Sequence, residues 1–88
     1  MILIRNNLDL FKSIKLFNDQ NVLHYIAQNL NIMDFIKAAR IFNYSLVDIN
    51  DTQKQTPLDI AFQRFGKKEI LIYDILNHHY SGKFISVL

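Results

Sequence analysis

Two stretches of this 88-residue chain repeat one another thirty-five positions apart. NVLHYIA (21–27) and TPLDIAF (56–62) align with Leu23 over Leu58. Each opens on a polar residue, carries Leu third and a polar His or Asp fourth, with the second and fifth positions variable, and closes on a small or apolar pair. A repeated supersecondary unit cannot bury its apolar face alone, so the copies must stack. No other feature of the sequence restricts the fold as much.

The residue types at each copy describe the start of a helix. Thr56 can cap by accepting from a free backbone N–H, and Pro57 suits the first helical position, where no N–H is needed. Asp59, three residues past the cap, can reach back in a capping box and complements the positive end of the helix dipole. In the first copy Asn21 is the cap and His24 takes the third position. Ala27 and Ala61 allow paired helices to approach closely.

Around these starts the apolar spacing is helical. Leu8 and Phe11, with the offset set Leu10, Ile14 and Phe17, predict a helix over 8–17. Residues 18–21 (NDQN) read as a turn. Leu23, Ile26, Ala27 and Leu30 mark a second helix, and Ile32, Phe35, Ile36, Ala39 and Phe42 a third, with Asn31 as its N-cap. DINDTQKQ (48–55) is the longest polar break. Leu58, Ala61, Phe62 and Phe65 then give a fourth stripe, and Leu71, Ile72, Ile75 and Leu76 a fifth, with Gly82 as its stop. Two glycines and one proline are little punctuation for a chain of this length, which favours helices joined by short turns. The predicted class is all-α. The tail KFISVL is apolar and β-prone; it either caps the last helix pair or is a sticky end covered by something else.

The composition, half hydrophobic and a fifth charged, is that of one small globular domain. The net charge of +2 gives little long-range attraction to nucleic acid. With no cysteine there is neither a disulfide framework nor a thiolate zinc site. MILIRNN is too short an apolar run for a secretory signal, and no stretch is long enough to span a bilayer. A cytoplasmic location is expected.

The motifs resemble those of the ankyrin-repeat family, whose pattern is T-P-L-H-x-A-A, a second helix, and a hairpin reading V-N/D-x-x-D-x-x-G-x-T. VDINDTQKQTPLDIAF (47–62) places Val47, Asp48, Asp51, Thr56, Pro57, Leu58 and Ala61 in that register. NVLHYIA keeps Leu23, His24 and Ala27. The resemblance implies a short ankyrin-like α-solenoid of antiparallel helix pairs with one hairpin-like loop between repeats. Its parts would be a capping helix (1–18), a degenerate repeat (19–53), a second repeat (54–80) and a C-terminal tail (81–88). It also implies that His24 hydrogen-bonds backbone between repeats. Lys54 replaces the hairpin glycine, so the tight turn there is expected to be altered. The interval exceeds the family's 33 by two residues, with the surplus placed in FNYSL (42–46).

In function, the resemblance implies a non-catalytic protein–protein interaction module without cofactors. Partner-binding residues carried over are Asn50, Thr52, Gln53 and Gln55 on the hairpin, with Gln28, Asn29, Gln63 and Arg64 on the inner-helix face. Fewer than three repeats point to strong caps, self-association or a longer parent chain. An effector of an intracellular bacterium, acting in the host cytosol, is one such parent.

Other chemistry has less behind it. The three histidines have no spacing suited to a hydrolytic triad. His78 and His79, with Asp74 one turn earlier, could ligate a metal, but adjacent helical residues point about 100° apart. The alternative function is a helix-turn-helix DNA-binding regulator: IAQNLNIMDFIKAA (26–39) has Ala27, Leu30 and Ile32 at fitting places. There Lys37 occupies a position that should be aliphatic, and Phe35 and Ile36 would face the DNA. Arg64, Lys67 and Lys68 form a small basic face.

Overall fold

A computed structural model describes residues 8–76, with side chains from 10 to 73. The described residues are all-helical: α1 (Leu8–Ser13), α2 (Val22–Asn29), α3 (Ile32–Ile41), α4 (Pro57–Phe65) and α5 (Lys67–Leu76), plus one short helical turn at Phe17–Asp19. No strand occurs among them. Gly82, the histidine pair 78–79 and the tail 81–88 lie outside the described residues.

Caps placed from the sequence are formed. Asn21 accepts from the Leu23 and His24 amides while its own N–H donates to His24 Nδ1, closing a capping box. Thr56 and Asp59 close a second one, at 3.0 Å in each direction, with Pro57 in the first turn. Asn31 caps α3 by accepting from the Asp34 amide. Each such cap contributes about 1 kcal/mol to a helix too short to form in isolation.

The core is built between these helices. α2 packs against α3 and, more extensively, against α4, while α5 lies against α3 and α4. Ala27 and Ala61 are both fully buried, which is how α2 and α4 come close. Leu23, Ile26, Phe35, Ile36, Leu58 and Ile60 fill the space between helices. Phe62 and Phe65 pack on its margin.

Two predicted stripes are corrected. The helix expected over 8–17 stops at Ser13, because the chain must turn at Asn18 and Asp19, both at positive φ. Among the described side chains of its apolar set only Phe11 packs against the core, whereas Phe17 is 85% exposed. Among the described side chains of α5, Ile70 is fully buried, Leu71 packs against the core as expected, and Ile72 is exposed; Ile75 and Leu76 lie outside the described side chains. Gly66 sets that register. It caps α4 at φ 90, and Ile70 N–H bonds its carbonyl at 3.1 Å, so α5 starts without an intervening loop. The positive φ is open to glycine at no steric cost.

FNYSL leaves α3 through two consecutive left-handed residues, Asn43 and Tyr44. The Tyr44 amide reaches back to the Ala39 carbonyl at 2.8 Å, and Tyr44, Leu46 and Val47 are buried. Burial of these side chains offsets a backbone conformation that costs about 1 kcal/mol for a non-glycine residue.

Candidate functional site

Turn geometry repeats at the same thirty-five-residue interval as the motifs. In the first turn Leu16 N–H donates to the Gln20 carbonyl at 2.7 Å; in the second Asp51 N–H donates to the Gln55 carbonyl at 2.9 Å. Asp19 and Lys54 occupy equivalent positions with φ 61 and 62. The turn expected to be altered by Lys54 is therefore formed, with lysine in the conformation a glycine would take. Each turn leads directly into a capping box, at Asn21 and at Thr56.

The two turns lie side by side. Thr52 N–H donates to the Asn18 carbonyl at 2.9 Å. His24 Nε2 bonds the Gln55 carbonyl at 2.9 Å, and Asn21 Nδ2 donates to the Leu46 carbonyl at 3.2 Å. An amide can only donate and a carbonyl can only accept, so the His24 hydrogen sits on Nε2 and Nδ1 receives the Asn21 N–H. This is the backbone link between repeated units expected of His24.

Asp51 organises the second turn. Its Oδ1 accepts from the Gln53 and Gln55 amides at 2.8 and 2.9 Å, and its Oδ2 from Gln20 Nε2 at 3.3 Å. These donors, the Gln55 amide foremost, hold its carboxyl below the usual aspartate value against the opposing effect of burial. Asn21, His24 and Asp51 are the buried polar residues among those described, and all three serve this junction. A low-dielectric site tolerates them because each is hydrogen-bonded to neighbouring backbone or side-chain groups.

The partner-face residues divide into two groups. Asn50, Thr52 and Gln53 are exposed on the second turn, and Gln55 is half-buried with its backbone engaged by His24 and Asp51. Gln28, Asn29, Gln63 and Arg64 are exposed toward the C-terminal ends of α2 and α4. About two turns of α4, roughly 9 Å from Pro57 to Gln63 at 1.5 Å per residue, lie between the second turn and Gln63. Arg64 is engaged within the fold. Its guanidinium donates to the Ala27 carbonyl at 2.8 Å and to the Leu30 carbonyl, satisfying the end of α2. It also stacks 4.7 Å from the Phe65 ring. Asn29 donates to the Tyr25 carbonyl. The side chains of Gln28, Asn50, Thr52, Gln53 and Gln63 have no hydrogen-bond partner among the described residues.

Phe17 at the first turn and Tyr25 on α2, 53% exposed, add aromatic surface that sequence reasoning did not assign. The signal for Phe17 was present, since the thirty-five-residue interval sets it over Thr52 at the tip of the second turn. For the helix-turn-helix segment, Phe35 and Ile36 are fully buried and Lys37 is exposed, so the first two belong to the core. No group of three metal-ligating side chains occurs among the described residues. Nor is any helix among them long and apolar enough to cross a membrane.

Comparison of the chain with protein-family models, with curated proteins and with solved structures gave no match.

Proposed function

We propose that the chain is a non-catalytic interaction module, a short ankyrin-like solenoid that binds another protein through its second turn and the exposed face of α2 and α4. The observation that carries this reading is the set of exposed amide and hydroxyl side chains, Gln28, Asn50, Thr52, Gln53 and Gln63, which have no internal role. Uncharged groups that both donate and accept suit a partly wet interface, and the neighbouring Phe17 and Tyr25 supply aromatic anchors of the kind that dominate binding energy. The solenoid reading rests on two turn–cap–helix units in the same order, with α2 against α4 and α3 against α5.

The test is affinity capture with the whole chain, comparing Gln53→Ala/Gln63→Ala with Lys68→Ala on α5. Loss of captured protein in the first variant alone, with its helical circular dichroism retained, is the expected result. Equal capture by both variants rejects the assigned face. Salt-sensitive binding of duplex DNA would instead favour the helix-turn-helix function.

A further inference from the structure

The bond that joins the two turns, Thr52 N–H to the Asn18 carbonyl, has at each end of the repeat a counterpart with no partner among the described residues. Thirty-five residues before Thr52 is Phe17, and thirty-five after Asn18 is Gln53. Neither the Phe17 amide nor the Gln53 carbonyl has a partner among the described residues. By the repeat geometry, the first faces away from the second turn and the second faces away from the first.

We propose that a second copy of this chain stacks end to end on the first, with its second turn against the first copy's first turn. Phe17 N–H then donates to Gln53 of the second copy, as Thr52 N–H donates to Asn18 within one chain. Charge favours this order. Asp19 and Lys54 hold the equivalent left-handed position in the two turns, so an end-to-end stack sets Lys54 of one copy beside Asp19 of the next. Opposite signs therefore alternate along the whole stack. Phe17, 85% exposed, supplies apolar surface to bury at this turn.

The contact between copies is weaker than the one within the chain. Asp59 stands thirty-five residues after His24, and a carboxylate cannot donate to a carbonyl. Leu16 stands where Asp51 receives the Gln20 amide. The two surfaces also differ, so the contact is heterologous, and a stack grows past two copies unless its rotation closes a ring.

Sedimentation equilibrium of the whole chain, from about 10 μM to about 1 mM, covers the range in which such a weak contact forms. Backbone amide shifts recorded over the same series locate it. The expected result is a mass that rises with concentration, with the largest shifts at Phe17 and at Gln53–Lys54. Phe17→Glu and Lys54→Glu should each weaken association at least tenfold, and Asp19→Lys with Lys54→Asp should restore it. A monomer across the whole range overturns the proposal. So does association that survives both single variants, or shifts that map to Gln28 and Gln63 instead.

Discussion

The turns at 16–20 and 51–55 reach one backbone outline by different means. Both close through a main-chain bond across five residues, and both carry a left-handed residue before the helix cap. In the second turn the Asp51 carboxylate gathers two loop amides, and one left-handed residue, Lys54, suffices. Leu16 offers the first turn no such acceptor, and two consecutive residues, Asn18 and Asp19, go left-handed. The outline is thus set by the closing bond and the cap that follows, and the carboxylate is an addition. What it adds is attachment: Asp51 also receives the Gln20 amide from the neighbouring turn, so the better-organised turn is also the one fastened to its neighbour.

The largest expected effect comes from cutting the link between the turns. His24→Ala removes a fully buried ring, leaves the Gln55 carbonyl without this partner, and opens the Asn21 capping box. Loss of a buried side chain with two matched hydrogen bonds costs roughly 3 kcal/mol. A domain of this size has about 5 kcal/mol in total, so the variant should lose most of its stability. Urea unfolding followed by circular dichroism checks this. A midpoint close to the parent's would mean that the turns do not depend on one another.

A smaller effect, present near neutrality and lost in acid, isolates the carboxylate. Asp51 is held below its usual value when folded, so it contributes stability above the unfolded aspartate value of about 3.9. That contribution disappears as pH falls through the folded value. Asp51→Asn keeps an oxygen for the loop amides but does not titrate. Its unfolding midpoint should lie below the parent's near neutrality, and the gap should close below about pH 4. A gap that stays constant from pH 7 to pH 3 would separate the turn's stability from the charge on Asp51.

How much of this was legible in the sequence follows from the range of the interactions involved. Caps are local, and Asn21, Asn31, Thr56 and Asp59 could be placed because donor and acceptor lie within three residues of each other. The α3 stripe was equally readable, since Phe35, Ile36 and Ala39 recur at helical spacing and the neighbouring helices bury all three. The helix expected over 8–17 is too long, because periodicity assumes an unbroken helix and the chain leaves it after Ser13 for the turn at Asn18–Asp19. In α5 Leu71 packs on the core as expected, while Ile70, which the stripe omitted, is fully buried and Ile72 is exposed. The structural roles of Asp51 and Arg64 were out of reach. Their partners lie on other segments, thirty-one residues away for Gln20 and thirty-seven for Ala27. An exposed polar residue that caps a distant helix looks, in sequence, the same as one that waits for a partner.

The smallest expected effect sharpens the comparison between the turns themselves. Lys54 at φ 62 carries a steric penalty of about 1 kcal/mol that glycine escapes, while glycine loses somewhat more backbone entropy on folding. Lys54→Gly in dilute solution should therefore raise stability, by roughly 0.5 kcal/mol. Asp19→Gly, at the equivalent position, should gain less, because aspartate tolerates the left-handed region better than lysine does. Paired urea titrations of the two variants rank the turns directly. If Asp19→Gly gains more, the first turn is the more strained of the two. The second left-handed residue at Asn18 would then record strain left by the missing carboxylate at Leu16.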